Sequence, residues 1–136
     1  MIWIVPGLTR PDARCDRTVD FMSIYPTLAD LCGIPVPPHV QGESIRPLLE
    51  NPSAPWDKPA LTTYRYMNHT VRSEGWRYIR YANGGEELYD ETQDPYEWTN
   101  LAQRPELQAR KSSLAQWMPR ENHADIGGTG AEKRAP

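Results

Sequence analysis

Long apolar runs are missing from this chain of 136 residues. The longest is Met1-Ile-Trp-Ile-Val5, far short of the ~20 residues that a membrane-spanning helix needs, so no membrane is expected as a partner. A basic excess is missing too. The 15 Lys and Arg stand against 18 Asp and Glu, giving a net charge of -3 and a pI of about 5.6. That balance makes no electrostatic case for nucleic acid or for an anionic membrane surface. Cysteine is scarce, and Cys15 and Cys32 match no Cys-x-x-Cys or zinc spacing. A disulfide between them is geometrically open, but Cys32 reads as a small apolar residue buried at a helix end. The N-terminus has no basic stretch followed by an apolar core and a small-residue cleavage site, so it does not read as a secretory signal.

Catalytic signatures are missing as well. There is no Gly-x-Ser-x-Gly, no phosphate-binding Gly-rich loop, no Gly-x-Gly-x-x-Gly and no His-x-x-x-His pair. His39, His69 and His123 lie far apart, none with a partner at ligand spacing. Asp and Glu are plentiful but fall in turns and at helix ends, where solvation and capping account for them. No catalytic and no metal-ligating residue is assigned to the chain.

What is present is enough length for one domain with a real core. Mean hydropathy is -0.72, and 14 prolines outnumber 9 glycines, spread between periodic segments rather than gathered in a low-complexity run. Met1 to Val5 reads as a short buried strand ending at the Pro6-Gly7 turn signal, with nothing before it to set its register. Thr18 or Asp20 opens a helix with Pro26 in its first turn and Gly33 as its stop. Phe21, Ile24/Tyr25, Leu28 and Leu31/Cys32 share one face at helical spacing and are the expected core stripe. Gly42 to Glu50 is at most a short helical turn.

The second half reads as a sheet and a helix. Strands are expected over Ala60–Tyr66, His69–Arg72, Trp76–Tyr81 and Glu86–Tyr89, the last two joined by the Asn83-Gly84-Gly85 turn. Alternation puts Trp76, Tyr78 and Arg80 on one face and Arg77, Ile79 and Tyr81 on the other. Close spacing makes the sheet antiparallel. Arg104-Pro105-Glu106 opens a last helix whose Leu107, Arg110/Lys111, Leu114 and Trp117/Met118 form a stripe for packing on that sheet. From Pro119 the chain is polar and aperiodic and is expected to be disordered.

His69 is the strongest candidate for binding, with Arg65, Arg72, Arg77 and Arg80 near it in sequence. On a sheet edge, His69, Arg72 and Arg65 could face an anionic ligand, since guanidinium binds sulfate or phosphate oxygens bidentately. The alternative is a solvent-facing sheet surface with charges scattered by alternation, and the sequence leaves both open.

Two stretches carry a family resemblance. "CDRTVDFMSIYPTLADLCGIPVPPHVQGESIRPLL" (15–49) resembles a late stretch of the sulfatases: a Val-Asp-x-x-x-x-x-Pro-Thr-Leu helix, a proline-rich run, then Gly-x-Ser-x-x-Pro-Leu-Leu. "NHTVRSEGWRYIRYANGGEELYDETQDPYEWTNLA" (68–102) resembles their C-terminal subdomain. The variant looks closest to bacterial iduronate-2-sulfatase-like enzymes. The resemblance covers about residues 1–118 and implies an α+β fold: a small four-stranded antiparallel sheet with a packed C-terminal helix. A strand–helix remnant of the large alkaline-phosphatase-like α/β sulfatase domain would precede it. The implied boundaries are 1–59 for the remnant, 60–118 for the subdomain and 119–136 for a disordered tail. The subdomain would help to wall a cleft for sulfated carbohydrate.

The family's Cys/Ser-x-Pro-x-Arg nucleophile motif, oxidised to formylglycine, and its calcium ligands are implied to lie N-terminal to the matched stretch. Cys15, followed by Asp-Arg-Thr-Val, and Cys32, followed by Gly-Ile-Pro-Val, do not fit that motif. Met1 looks like an internal methionine. The expectation is a C-terminal fragment of a sulfatase, inactive alone, whose partner is the missing N-terminal domain and whose full-length parent is periplasmic or extracellular. A non-catalytic glycan-binding or fragment-complementing module is the other reading.

Overall fold

A computed structural model describes residues 1–124, and the chain divides into two compact units, Met1–Ala60 and the stretch from Leu61 onward. The expected disordered tail lies, from residue 125, outside the described residues.

In the first unit, Asp20 opens the helical segment. Its carboxylate accepts the Met22 N–H at 3.1 Å, and a single turn over Phe21–Ser23 leads into α1 (Ile24–Leu31). Pro26 falls in the first turn of α1, where its missing N–H costs nothing. At the other end the Ile34 N–H returns to the Ala29 carbonyl at 2.9 Å and closes the helix. A short α2 (Arg46–Glu50) follows. Ile45, Leu48 and Ala54 form a small core, with Trp3, Val19, Leu49 and Trp56 packed against it. Thr27 is fully buried; its hydroxyl donates to the Ser23 carbonyl at 2.5 Å and accepts the Ile45 N–H at 2.9 Å. Gly42, with φ +92°, sits so close to the Met22 backbone that a Cβ would collide with the carbonyl.

Three expectations for this unit are corrected. Met1–Val5 is not a strand. A strand needs a ladder for its backbone groups, and here the Val5 N–H goes to Thr9 Oγ1 at 2.9 Å while its carbonyl takes the Leu8 and Thr9 N–H groups. The Phe21–Tyr25–Leu28 stripe is not core: these residues are 78%, 56% and 50% exposed. Helix α1 turns Pro26, Thr27 and Ala29 inward instead, because the hydrogen bonds of Thr27 fix that side against Ile45. Cys32 is exposed rather than buried, and so is Cys15; both are free thiols.

The second unit is built on four strands in the order β1 (Ala60–Thr63), β2 (His69–Ser73), β3 (Trp76–Arg80) and β4 (Glu86–Asp90). The fold is α+β, with an antiparallel four-stranded sheet. Register aligns Val71, Tyr78 and Leu88 in one cross-strand row, and Thr70, Ile79 and Glu87 in the next. Successive rows face opposite sides. The Val71–Tyr78–Leu88 row is buried to 1% exposure or less and packs on Leu114 and Met118, with Ala102 completing the core. Leu114 lies in α3 (Gln108–Ala115), which Pro105 and Glu106 introduce as expected. Gly75 makes the β2–β3 turn at φ +72°, where an added Cβ would meet Thr92 Cγ2 at 2.6 Å.

An ion pair is folded in beside this core. Lys111 of α3 reaches Glu86 Oε2 at 2.8 Å and the Ala102 carbonyl at 3.3 Å, and the Tyr78 hydroxyl donates to Glu86 Oε1. Lys111 holds the Glu86 carboxyl below the usual glutamate range, helped by Tyr78; burial works against them. Burial, followed by Glu86, pushes the Tyr78 hydroxyl well above the ordinary phenol value.

Candidate functional site

The sheet face opposite α3 carries the rows Thr70–Ile79–Glu87 and Arg72–Arg77–Tyr89. Arg72 and Arg77 sit directly across from each other, an arrangement that repulsion would disfavour. Each has its own glutamate. Arg72 Nε and Nη2 bind the two Glu91 oxygens at 3.1 and 3.0 Å, and Arg77 Nη1 lies 3.0 and 2.7 Å from the two Glu97 oxygens. Glu87 accepts the Tyr81 hydroxyl at 3.1 Å and the Tyr89 hydroxyl at 2.9 Å. Burial first, and then this carboxylate, pushes the Tyr89 hydroxyl up to about 12 and raises that of Tyr81. The face is thus dense in charge but locally neutralised.

At its β1–β2–β3 end lies an open depression of about 300 Å³. Thr62, Tyr64, Thr70, Arg77, Ile79 and Tyr81 line it, together with Asn68 and His69. Hydroxyls, a guanidinium and two aromatic rings around an aliphatic floor suit a polyhydroxylated ligand with an apolar ring face. The β1–β2 loop, whose Tyr64 and Asn68 line the depression, is bent by two left-handed non-glycine residues, Arg65 at φ +55° and Met67 at φ +59°. The Arg65 guanidinium lies over the Tyr64 ring, 5.4 Å from its centre. The loop is pinned by the Tyr64 N–H on the Asn68 carbonyl at 2.9 Å, and Asn68 Oδ1 accepts the Ala82 N–H at 3.2 Å.

The sequence singled out His69, Arg72 and Arg65, and the structure does not gather them into one cluster. His69 shares its cross-strand row with Arg80 and Glu86, on the α3 side. It is 2% exposed, with Nδ1 2.9 Å from Thr63 Oγ1 and Nε2 2.7 Å from Asn122 Oδ1. Arg72 lies three residues on and faces the opposite side, engaged with Glu91. Arg65 stands in the loop. The residues that sequence reasoning passed over are Thr62, Tyr64, Thr70 and Tyr81 of the depression. For Tyr81 the signal was the alternation of β3, which already placed Arg77, Ile79 and Tyr81 together on one side. Among the described residues no group of three or more His, Cys, Asp or Glu could hold a metal ion, and no helix is long and apolar enough to cross a membrane.

The chain is similar to known sulfatases. A sulfatase of Formosa agariphila is 35% identical over 109 residues, covering 80% of this chain and 22% of its own length. The delta 4,5-hexuronate-2-O-sulfatase of Bacteroides thetaiotaomicron is 34% identical over 115 residues, covering 76% of this chain and 24% of its own. The chain therefore spans less than a quarter of the length of these relatives. A protein solved with its substrate D-glucosamine-2-N,6-O-disulfate superposes with a TM-score of 0.58 at 30% identity, over 69% of this chain and 22% of that one. Residues 1–124 match the family model described as N-sulphoglucosamine sulphohydrolase, C-terminal, and the chain belongs to that family of sulfatase C-terminal domains.

Proposed function

We propose that this chain is the C-terminal part of a sulfuric ester hydrolase acting on sulfated carbohydrate, with iduronate 2-sulfate-type residues among its substrates. Its role in that enzyme is to form one wall of the substrate cleft. The observation that carries this reading is the depression beside β1 to β3, lined by Tyr64, Thr70, Arg77 and Tyr81, in a chain whose relatives include a hexuronate-2-O-sulfatase. Arg65, on its strained loop, is the sulfate contact: a guanidinium matches the sulfate oxygens and stays charged at any working pH. His69 is a positioning residue that ties β2 to Thr63 at the base of the same loop. Arg72, bound to Glu91, lies across from Arg77 on the face that carries the depression.

Family members use calcium and formylglycine, and the residues here do not fit either group. The described residues hold no metal-binding cluster, and neither cysteine lies in the nucleophile motif. Both groups are assigned to the part of the relatives that this chain does not span, and sulfate-ester cleavage needs them. The chain alone is expected to release no sulfate.

A second reading, a module that complements a separately supplied sulfatase domain, draws on α1. Its Phe21, Tyr25 and Leu28 stripe is half or more exposed, and covering one such side chain fully is worth roughly 1.5–3 kcal/mol.

The test is a sulfate-release assay on the purified chain with calcium, using an aryl sulfate and an unsaturated 2-O-sulfated disaccharide. No release is expected. The disaccharide is expected to bind, more weakly as salt is added and more weakly in Arg65→Ala. Turnover above a mock preparation would overturn the proposal.

A further inference from the structure

The segment after β4 is held more firmly than a connecting loop requires. The Asp94 N–H bonds the Asp90 carbonyl at 2.8 Å, Asp94 Oδ2 accepts the Thr99 N–H at 2.8 Å, and the Leu101 N–H bonds the Leu88 carbonyl at 2.8 Å. Asn100 Oδ1 accepts the Leu88 and Ala102 N–H groups at 3.1 and 2.9 Å, while its amide donates to the Glu86 carbonyl at 3.0 Å. This frame presents Tyr96 and Trp98, which are 73% and 82% exposed. Their rings stack on each other, 5.2 Å between centres and 19° from parallel. Glu97 between them takes a left-handed φ of +57°, unfavourable for a residue with a side chain. Its carboxylate is drawn to Arg77, which also lines the depression.

Exposed aromatic area is costly in water. A braced, locally strained loop that spends it outward points to a ligand. We infer that Tyr96 and Trp98 form a sugar-stacking subsite, which takes the C–H face of a pyranose ring in the same sulfated glycan that enters the depression, one or more residues further along the chain. Three observations select this occupant. An indole backed by a second ring offers a flat apolar face of pyranose size. The charge held between the two rings in sequence, Glu97, is already matched by Arg77, so a sulfate is not what this spot recognises. The shared Arg77 joins it to the depression, so one oligosaccharide can engage both.

This inference rests on the glycan reading above, and the length of the oligosaccharide separates the two. Size-defined sulfated glycosaminoglycan oligosaccharides, from disaccharide to octasaccharide, would be titrated calorimetrically into the full chain. Affinity is expected to rise about tenfold between the disaccharide and the longer chains, the scale of one well-made aromatic contact. Trp98→Ala and Tyr96→Ala are expected to erase that gain while leaving disaccharide binding unchanged, and Trp98→Phe to keep most of it. Tyr81→Ala should weaken every length equally. The gain should survive added salt, because stacking is not screened. A length gain that persists in Trp98→Ala overturns the subsite, as does its absence from the parent chain, and the glycan reading still stands if Tyr81→Ala weakens the disaccharide. An aromatic pair that packs on another part of a sulfatase would leave all glycan affinities untouched, which also overturns it. If no oligosaccharide binds at all, the two ideas fall together.

Discussion

Replacing Lys111 by Met keeps the length of the side chain and removes its charge. The apolar stem is retained, so the packing loss is small. The polar loss is not. Lys111 and Glu86 are only 14% and 25% exposed, and after the change Glu86 Oε2 loses its 2.8 Å partner while Oε1 keeps the Tyr78 hydroxyl. Stripping one partner from a fully buried pair costs roughly 3–5 kcal/mol. Part of this site reaches water and Tyr78 remains, so the expected loss is about 1–3 kcal/mol at neutral pH. The dependence on pH is the sharper signature. Glu86 titrates below its ordinary value of 4.5 in the folded chain, chiefly because of Lys111. A depressed carboxyl contributes stability that is present above its unfolded value and is lost as pH falls through the folded one. The gap between parent and Lys111→Met should therefore be widest at pH 7 and should narrow as the pH drops below 4.5. Urea melts followed by tryptophan fluorescence, with Trp76 packed against the same core, would measure both. A gap that is the same at pH 7 and at about pH 3 would refute the electrostatic account. So would a loss under ~0.3 kcal/mol, the noise of such comparisons.

Thr27→Val should destabilise the first unit by roughly 1–3 kcal/mol, because the Ile45 N–H would be buried with no acceptor; Thr27→Ser should restore most of it, and chemical denaturation decides. Amide exchange should be slower across Thr62–Met118 than across Met1–Leu31, since the second stretch has a sheet ladder over a six-residue buried cluster and the first leaves Phe21, Tyr25 and Leu28 in water. Equal, high protection in both would count against that. Cys15 and Cys32 should both react with a thiol reagent in the folded chain, as two exposed free thiols; labelling only after unfolding would contradict the structure.

Much of the second unit was legible in its sequence because local and tertiary signals agree there. Period-2 alternation in Trp76–Tyr81, the Asn83-Gly84-Gly85 turn and the stripe ending in Leu114 and Met118 all point to one sheet with one covering helix, and that is what forms. In the first unit the signals diverge. Phe21, Tyr25 and Leu28 have the spacing of a core face, but spacing gives only which residues share a side, not whether anything covers it. The side that is buried is instead chosen by Thr27, whose hydroxyl joins α1 to the Ile45 backbone, a tertiary bond with no sequence signature. Met1–Val5 has strand composition, but composition supplies no partner strand.

The candidate site was partly legible for the same reasons. Alternation put Arg77, Ile79 and Tyr81 on one side of β3, the side that lines the depression. It also implied that His69 and Arg72, three residues apart, face opposite ways, which the clustering of basic residues in sequence concealed. The left-handed bends at Arg65, Met67 and Glu97 had no sequence cue, since none is a glycine.

In the function proposed above, this chain is the C-terminal wall of a sulfatase whose reacting groups lie elsewhere. The DNA in frame upstream of the Met1 codon is the place to look. An open frame, or an adjacent one, encoding Cys/Ser-x-Pro-x-Arg and paired aspartates is expected. An in-frame stop with no such motif in the neighbouring genes would contradict it.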